Sequence, residues 1–197
     1  STDVATLWGA RRAQWNKGQE ATVASMEALN QDLPFPVIEW HPDSGSEFIN
    51  WHCRRWYGEK GQLLTRSRPN RKNDNCFVEE RNGHIVRRWL GYTRFNTREM
   101  VKELNAVYAL LTPYLNHFVA SGRIIAKERL GARWKITRET KSLTPYQRVL
   151  LRNDVSEAVK VRLRQEHENL NPLILKQKID QQIKRVFDVY KRHGKPN

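Results

Sequence analysis

A chain of 197 residues can form one medium domain or a domain with an appendage, and a hydrophobic content of 39%, with seven Trp and six Phe, can fill a real core. A formal net charge of +14 and a pI near 10.1 point to a polyanionic partner, with nucleic acid foremost. No apolar run approaches the ~18 residues of a membrane span, and Cys53 and Cys76 alone make neither a disulfide framework nor a CxxC zinc signature, which fits a reduced, cytosolic setting.

Residues 2–15 alternate loosely through Val4, Trp8 and Trp15, which predicts a strand pair turning near residues 7–9. Residues 19–31 carry a helical stripe of Ala21, Val23, Ala24, Met26, Ala28 and Leu29, and Pro34 and Pro36 break it. Residues 37–40 read as a short buried strand. Ser44 followed three residues later by Glu47 reads as a capping box for a helix over 46–57, stopped at Gly58. Residues 63–65 are a short strand, 67–74 a polar loop, and 75–90 a helix with Val78, Ile85, Val86, Trp89 and Leu90 on its apolar side. Alternating strands and helices over the first 90 residues imply an α/β layer.

Beyond Gly91 the character changes. Residues 98–118 read as a helix with Val101, Leu104, Val107, Tyr108, Leu111 and Leu115 on one face. Residues 120–142 are irregular and very basic, with a short β unit around Ile124, Ile125 and 134–136. Thr144 and Pro145 cap a short helix over 146–151. Two further helices cover 156–169 and 172–192, the second with a stripe of Leu175, Ile179, Ile183, Val186 and Tyr190. Residues 1–96 carry 14 Lys and Arg against 11 Asp and Glu, whereas residues 97–197 carry 21 against 10. Chemistry is thus expected in the first region (1–96) and electrostatic grip in the second (97–197).

Two carboxylates stand out. Asp43 follows the strand over 37–40, at the carboxyl end where open α/β sheets gather functional groups, and Glu79 opens the helix over 75–90. Exactly spaced pairs of this kind matter because hard cations such as Mg²⁺ or Mn²⁺ take carboxylate oxygens and complete their shells with water and substrate phosphates. Two such ions can stabilise both the attacking and leaving oxygens of an in-line displacement. Asn82 lies one turn beyond Glu79, on the same helix face. Taken singly, Asp43 in Asp-Ser-Gly is ordinarily a turn residue, and Glu79 an ordinary helix-start acid favoured by the dipole.

The 35 residues between Asp43 and Glu79, the run Asp43-Ser44-Gly45-Ser46-Glu47-Phe48 and the stretch Asn75-Cys76-Phe77-Val78-Glu79 resemble the catalytic core of retroviral-type integrases and bacterial insertion-sequence transposases of the DDE superfamily. Thr65-Arg66-Ser67-Arg68-Pro69 followed by Asn73-Asp74-Asn75 is similar to the loop before the catalytic Glu in bacterial members. The resemblance implies an α/β, RNase H-like core over 1–96 and a basic, mainly helical, DNA-binding region over 97–197. It implies Asp43 and Glu79 as catalytic metal ligands for Mg²⁺ (or Mn²⁺), DNA cleavage followed by strand transfer, and multimers on paired DNA ends. A cytoplasmic, nucleoid-associated setting in bacteria goes with it. The family uses a third carboxylate on its first strand. Residues 5–12 look like the end of strand two and the start of strand three, so that strand and its Asp are expected upstream of Ser1, leaving an inactive fragment. Asp3 falls in the wrong element for this role.

Arg66, Arg68, Arg71 and Lys72 are candidates to grip phosphate beside the scissile bond, with Asn82, Arg87 and Arg88 contributing from the Glu79 helix. Lys127, Arg129, Arg133, Lys135 and Arg138, with Trp134 interleaved, form the densest basic stretch and would position DNA without reading its sequence. Each cluster is also what an ordinary solvated surface looks like. His41, His52 and His84 lack ligand spacing and are expected to be structural, and both cysteines to be packing residues. The alternatives to a transposase are a DNA-binding relic without chemistry and a nuclease of the same fold.

Overall fold

The structure is a computed structural model that describes residues 1–42, 45, 47–48, 50–66 and 83–193. The chain begins with a tight turn in place of the expected strand pair. The Asp3 carboxylate accepts from the Thr6 backbone N–H at 2.7 Å and from its hydroxyl at 2.6 Å, drawing residues 4–6 into a turn. Leu7 then takes φ of 63°, a left-handed conformation costing a non-Gly residue roughly 1–2 kcal/mol, offset by burial of its side chain. The ladder reduces to one antiparallel bridge, Thr2 to Gly9. Local side-chain capping of the backbone has outcompeted strand pairing.

Helix α1 (Gln19–Gln31) matches its apolar periodicity. A βαβ unit follows: β1 (Glu39–Trp40), α2 (Trp51–Glu59) and β2 (Leu63–Leu64), with the two strands paired in parallel through Glu39–Leu63 and Trp40–Leu64. The expected buried strand is half right, since Trp40 is buried but Ile38 is 76% exposed. Helix α2 starts later than expected because Asn50 caps it, accepting from the Cys53 N–H at 2.9 Å and donating to the Glu47 carbonyl at 2.7 Å. Ser44 of the expected capping box lies outside the described residues, and the Glu47 carboxylate pairs with Lys17 at 3.3 Å. The helix also runs through Gly58, and the chain turns away at Gly61, whose φ of 63° suits glycine. Met26, Trp40, Cys53, Trp56 and Tyr57 form the core between these elements. Glu27 ties α1 to α2 by accepting from the Trp56 indole at 2.8 Å and from Lys60 at 3.0 Å.

Of the helix expected over 75–90, residues 75–82 lie outside the described set. The remainder is a π-helical turn, Gly83–Arg87, running into α3 (Arg88–Leu90) and stopping at Gly91 with φ of 69°. Ile85 and Leu90 are buried against α4 (Arg98–Phe118) and α7 (Pro172–Arg192), together with Leu104, Val107, Leu111, Ile179 and Val186. Each such aliphatic side chain contributes on the order of 2 kcal/mol by leaving water. Thr97 caps α4 and Asn171 caps α7. The two helices run antiparallel, with Arg192 at the end of α7 pairing with Glu99 at the start of α4 at 2.9 Å. Helix α4 carries Pro113 inside it, a residue costing a helix interior about 3 kcal/mol, which burial along this face outweighs.

Between α4 and the next helix, the short β unit expected around Ile124, Ile125 and 134–136 is a longer antiparallel hairpin of β3 (Ile124–Leu130) and β4 (Arg133–Arg138), with a register shift between Ile124 and Ala126. Helix α5 (Pro145–Leu150) opens on a full capping box of Thr144 with Gln147. It packs with α6 (Glu157–Asn169) around Trp8, Tyr146, Val149, Val155 and Leu163. Leu33 touches both this cluster and the one beneath β1, so the two cores are continuous. The N-terminal segment is fixed by two asparagines of α4. Asn116 exchanges hydrogen bonds with the backbone of Gly9 at 3.0 and 2.9 Å, and Asn105 does the same with Ala13 at 2.8 and 3.1 Å. Contacts therefore cross residue 96. Among the described residues, the architecture mixes helices with two small sheets.

Candidate nucleic-acid interface

The carboxyl end of the parallel pair is a polar corner. His41 Nδ1 lies 2.7 Å from the Thr65 hydroxyl, which in turn donates to Glu39. His41 is exposed in this corner, and His52 is exposed on α2. Arg54, Leu64, Thr65 and Arg66 line an open cleft of ≈ 340 Å³ at this end. Arg54 was not anticipated as a site residue, because its place on the α2 face nearest β2 is a tertiary fact without a local signature. Asp43 lies three residues beyond β1, but Asp43, Arg68, Arg71, Lys72, Glu79 and Asn82 all fall outside the described residues. Arg66, Arg87 and Arg88 are exposed, with Arg87 5.2 Å from the ring centroid of Tyr92.

A pair of carboxylates suits a hard divalent cation by donor type. Among the described residues, no group of three or more His, Cys, Asp and Glu is placed to hold a metal ion. Cys53 is a buried free thiol, its pKa raised by burial, which leaves it a packing residue.

The basic stretch is now given a shape. Residues of β4 are exposed along its whole length, and Arg129, Arg133 and Lys135 all reach solvent. The two-residue connection at Gly131 and Ala132 has φ of 61° at Gly131, the type II′ pattern with glycine first. Directly opposed residues share a face, so Arg129 lies beside Trp134, Glu128 beside Lys135, and Leu130 beside Arg133. Lys127 occupies the register position opposite Ile136.

The base of the hairpin is closed by residues that gave no local signal. Arg148 of α5 is 6% exposed and donates to the Ser121 and Leu143 carbonyls, at 2.6 Å each, and to the Glu139 carboxylate. Glu139 also accepts from the Arg123 backbone N–H at 3.0 Å and pairs with the Arg123 guanidinium at 3.2 Å. These bonds, the one to Arg148 foremost, hold the Glu139 carboxyl below the usual carboxylate range. A second bridge, Ser121 to Leu143, lies beside this network.

A further polar pair lies where α4, α5 and α6 meet. His117 Nδ1 is 3.2 Å from His167 Nδ1, and the Tyr146 ring stacks on His167 with centroids 4.4 Å apart. Burial, with His167 next to it, pushes the His117 pKa down to about 4. The pair is a helix-packing contact, remote in sequence and unforeseen from it.

Among the described residues, no helix is long and apolar enough to cross a membrane. No family model matches the chain. The chain is similar to y4rM of Sinorhizobium fredii (strain NBRC 101917 / NGR234), an uncharacterized protein, with 35% identity over 132 residues. That match covers 67% of this chain and 38% of the relative, so the chain spans well under half of the relative's length.

Proposed function

We propose that this chain carries part of an RNase H-like DNA strand-transfer core of the DDE type, with a basic, mainly helical region that holds DNA. The observation that supports the reading is the parallel β1–β2 pair linked through α2, taken with the sequence position of Asp43. Asp43 follows by three residues a strand that pairs in parallel with β2 across α2, and 35 residues separate it from Glu79. A carboxyl end of parallel strands is where chain direction leaves loops to gather functional groups.

In this reading Asp43 and Glu79 supply anionic oxygens, whose mutual repulsion a bound cation would relieve. A bound Mg²⁺ or Mn²⁺ would supply Lewis-acid stabilisation of the phosphoryl oxygens. Arg66, Arg87 and Arg88, all exposed, would hold phosphates of the DNA strand, with Arg68, Arg71, Lys72 and Asn82 near them in sequence. Arg54 would join them from the cleft beside Arg66. The resemblance also implies a third carboxylate on the family's first strand and assembly as multimers on DNA ends.

The test is joining of a labelled 3′-hydroxyl DNA end to a target duplex by the full-length protein with Mg²⁺ or Mn²⁺. Joining should be lost in Glu79→Gln while DNA binding persists. Undiminished joining in that variant would sink the assignment. Salt-sensitive DNA binding with no joining in the parent protein would instead mark a DNA-binding relic, and cleavage without joined product a nuclease.

A further inference from the structure

An isolated two-stranded hairpin is marginal in water, but this one is tied down at its base. Its neck is held by Arg148, Glu139 and Arg123, while among the described residues β3 and β4 pair only with each other. Beyond the neck, Ile125, Leu130, Trp134 and Ile136 are all about half exposed or more, an unusual amount of apolar surface for a short ribbon. Residues 124–138 also carry five cations, Lys127, Arg129, Arg133, Lys135 and Arg138, against the single acid Glu128. Charge complementarity therefore selects a polyanion as the partner of this ribbon.

The two faces differ. Alternation along the strands puts Arg129, Trp134, Ile136 and Arg138 on one face, because Arg129 opposes Trp134 and the register shift affects only β3 near Ile125. The other face carries Glu128, Leu130, Arg133 and Lys135, with Glu128 directly beside Lys135. The first face thus combines cations with an aromatic ring and no acid. Trp134 and Arg138 are four positions apart, about 13 Å along an extended strand, comparable with the ~12 Å width of a DNA major groove. Arg129 and Arg138 are each tethered through one bond to a backbone carbonyl, Gly131 at 3.2 Å and Gly122 at 3.1 Å. That tether fixes the direction of each guanidinium and leaves further N–H donors for phosphate oxygens.

We propose that the β3–β4 hairpin is a DNA-binding ribbon that enters the major groove of a duplex with its Arg129–Trp134–Ile136–Arg138 face inward. Arg129 and Arg138 meet phosphates on the groove walls, and Trp134 and Ile136 pack against base edges between them. The inference rests on the DNA-directed reading above but not on its chemistry.

The experiment is a fluorescence-anisotropy titration of a labelled mixed-sequence duplex at fixed salt. It compares the full chain with the double variants Arg129→Gln/Trp134→Thr and Arg133→Gln/Lys135→Gln. The first removes one charge and the second removes two, so plain electrostatic attraction would make the second the more damaging. The ribbon proposal expects the reverse: about tenfold or greater loss of affinity in the first, and less than about threefold in the second. An equal or larger loss in the second, or no loss in the first, overturns it. So does tighter binding of single-stranded DNA than duplex with the same face dependence. If the first double variant does not fold, Arg129→Gln alone should still weaken binding and lower the salt slope by about 1, and an unchanged slope overturns the proposal. Face-dependent binding without strand joining supports the ribbon while counting against the strand-transfer reading.

Discussion

Arg148 and Glu139 form an ion pair that closes the neck of the basic hairpin: the guanidinium, buried on α5, bridges Glu139 to the carbonyls of Ser121 and Leu143. A buried charge with several hydrogen bonds is costly to strip of one partner, since the remaining charge keeps its desolvation without its compensation. Replacing Arg148 with Met leaves Glu139 beside Arg123, strips the Ser121 carbonyl of this donor and leaves the Leu143 carbonyl only the Ser121 N–H. The expected loss is about 3 kcal/mol of stability, read from urea denaturation. Limited trypsin digestion should then cut first within residues 121–143. A hairpin no more sensitive than in the parent would show that Arg148 does not hold it.

Glu139 also sets a pH limit. Its folded pKa lies below the ordinary value, so the unfolded chain takes up the proton first on acidification. The pair's contribution is complete above the usual Glu range, about 4.3, and is lost as pH falls through the lowered folded value. Arg148→Met should flatten the stability profile below that range and leave it unchanged near neutrality apart from a constant offset.

The asparagine clamps on the N-terminal segment should differ in strength. Asn116 is 1% exposed and satisfies both polar groups of Gly9, whereas Asn105 is only half-buried where it binds Ala13. Asn116→Ala strands a buried backbone N–H and carbonyl and should cost about 2–3 kcal/mol. Asn105→Ala should cost roughly 1 kcal/mol, because water can reach its vacated partners. Equal losses in urea titrations would contradict this ranking.

The contrast between these features and the helices shows what a sequence makes readable. α1, α4 and α7 could be bounded in advance because apolar stripes at helical spacing coincide with caps and breakers, even across Pro113 in α4. Each of those signals is local. Asn105 and Asn116 act on residues about ninety or more positions away, and Arg148 on Ser121, 27 positions back. Nothing in the neighbouring residues distinguishes such side chains from solvated ones. The hairpin was under-read for a different reason: Trp134 and Ile136 alternate with polar neighbours only within β4, while β3 runs Ile-Ile-Ala-Lys-Glu-Arg-Leu with no period-2 pattern. At the candidate site, the Asp43–Glu79 spacing was legible, but those residues lie outside the described set. Which face Arg129 shares with Trp134 needed the ladder register.

Helix α2, which links the two parallel strands, depends on its cap. Asn50 accepts from the Cys53 N–H and also ties back to the Glu47 carbonyl. Asn50→Ala should destabilise the chain by about 1 kcal/mol, while Asn50→Asp should retain the accepting bond and most of the stability. Equal losses in the two variants, read by thermal melting, would mean that the Nδ2 bond to Glu47 dominates.

His117 provides a separate, milder acid response. With its pKa near 4 when folded and near 6.5 when exposed, it stays neutral in the folded chain while the unfolded chain protonates. The unfolded state therefore binds more protons between those values, and stability must rise with pH across that window. The sign is opposite to that of a histidine gaining a carboxylate partner. The full effect is on the order of 3 kcal/mol, present above about 6.5 and lost progressively toward pH 4. This window lies above that of Glu139, so urea titrations at pH 7 and pH 5 isolate it. His117→Phe keeps the stacking against Tyr146 and removes the titrating group. It should reduce the difference between the two pH values. A variant with the parent's full pH 5 to 7 slope would place the titrating group elsewhere.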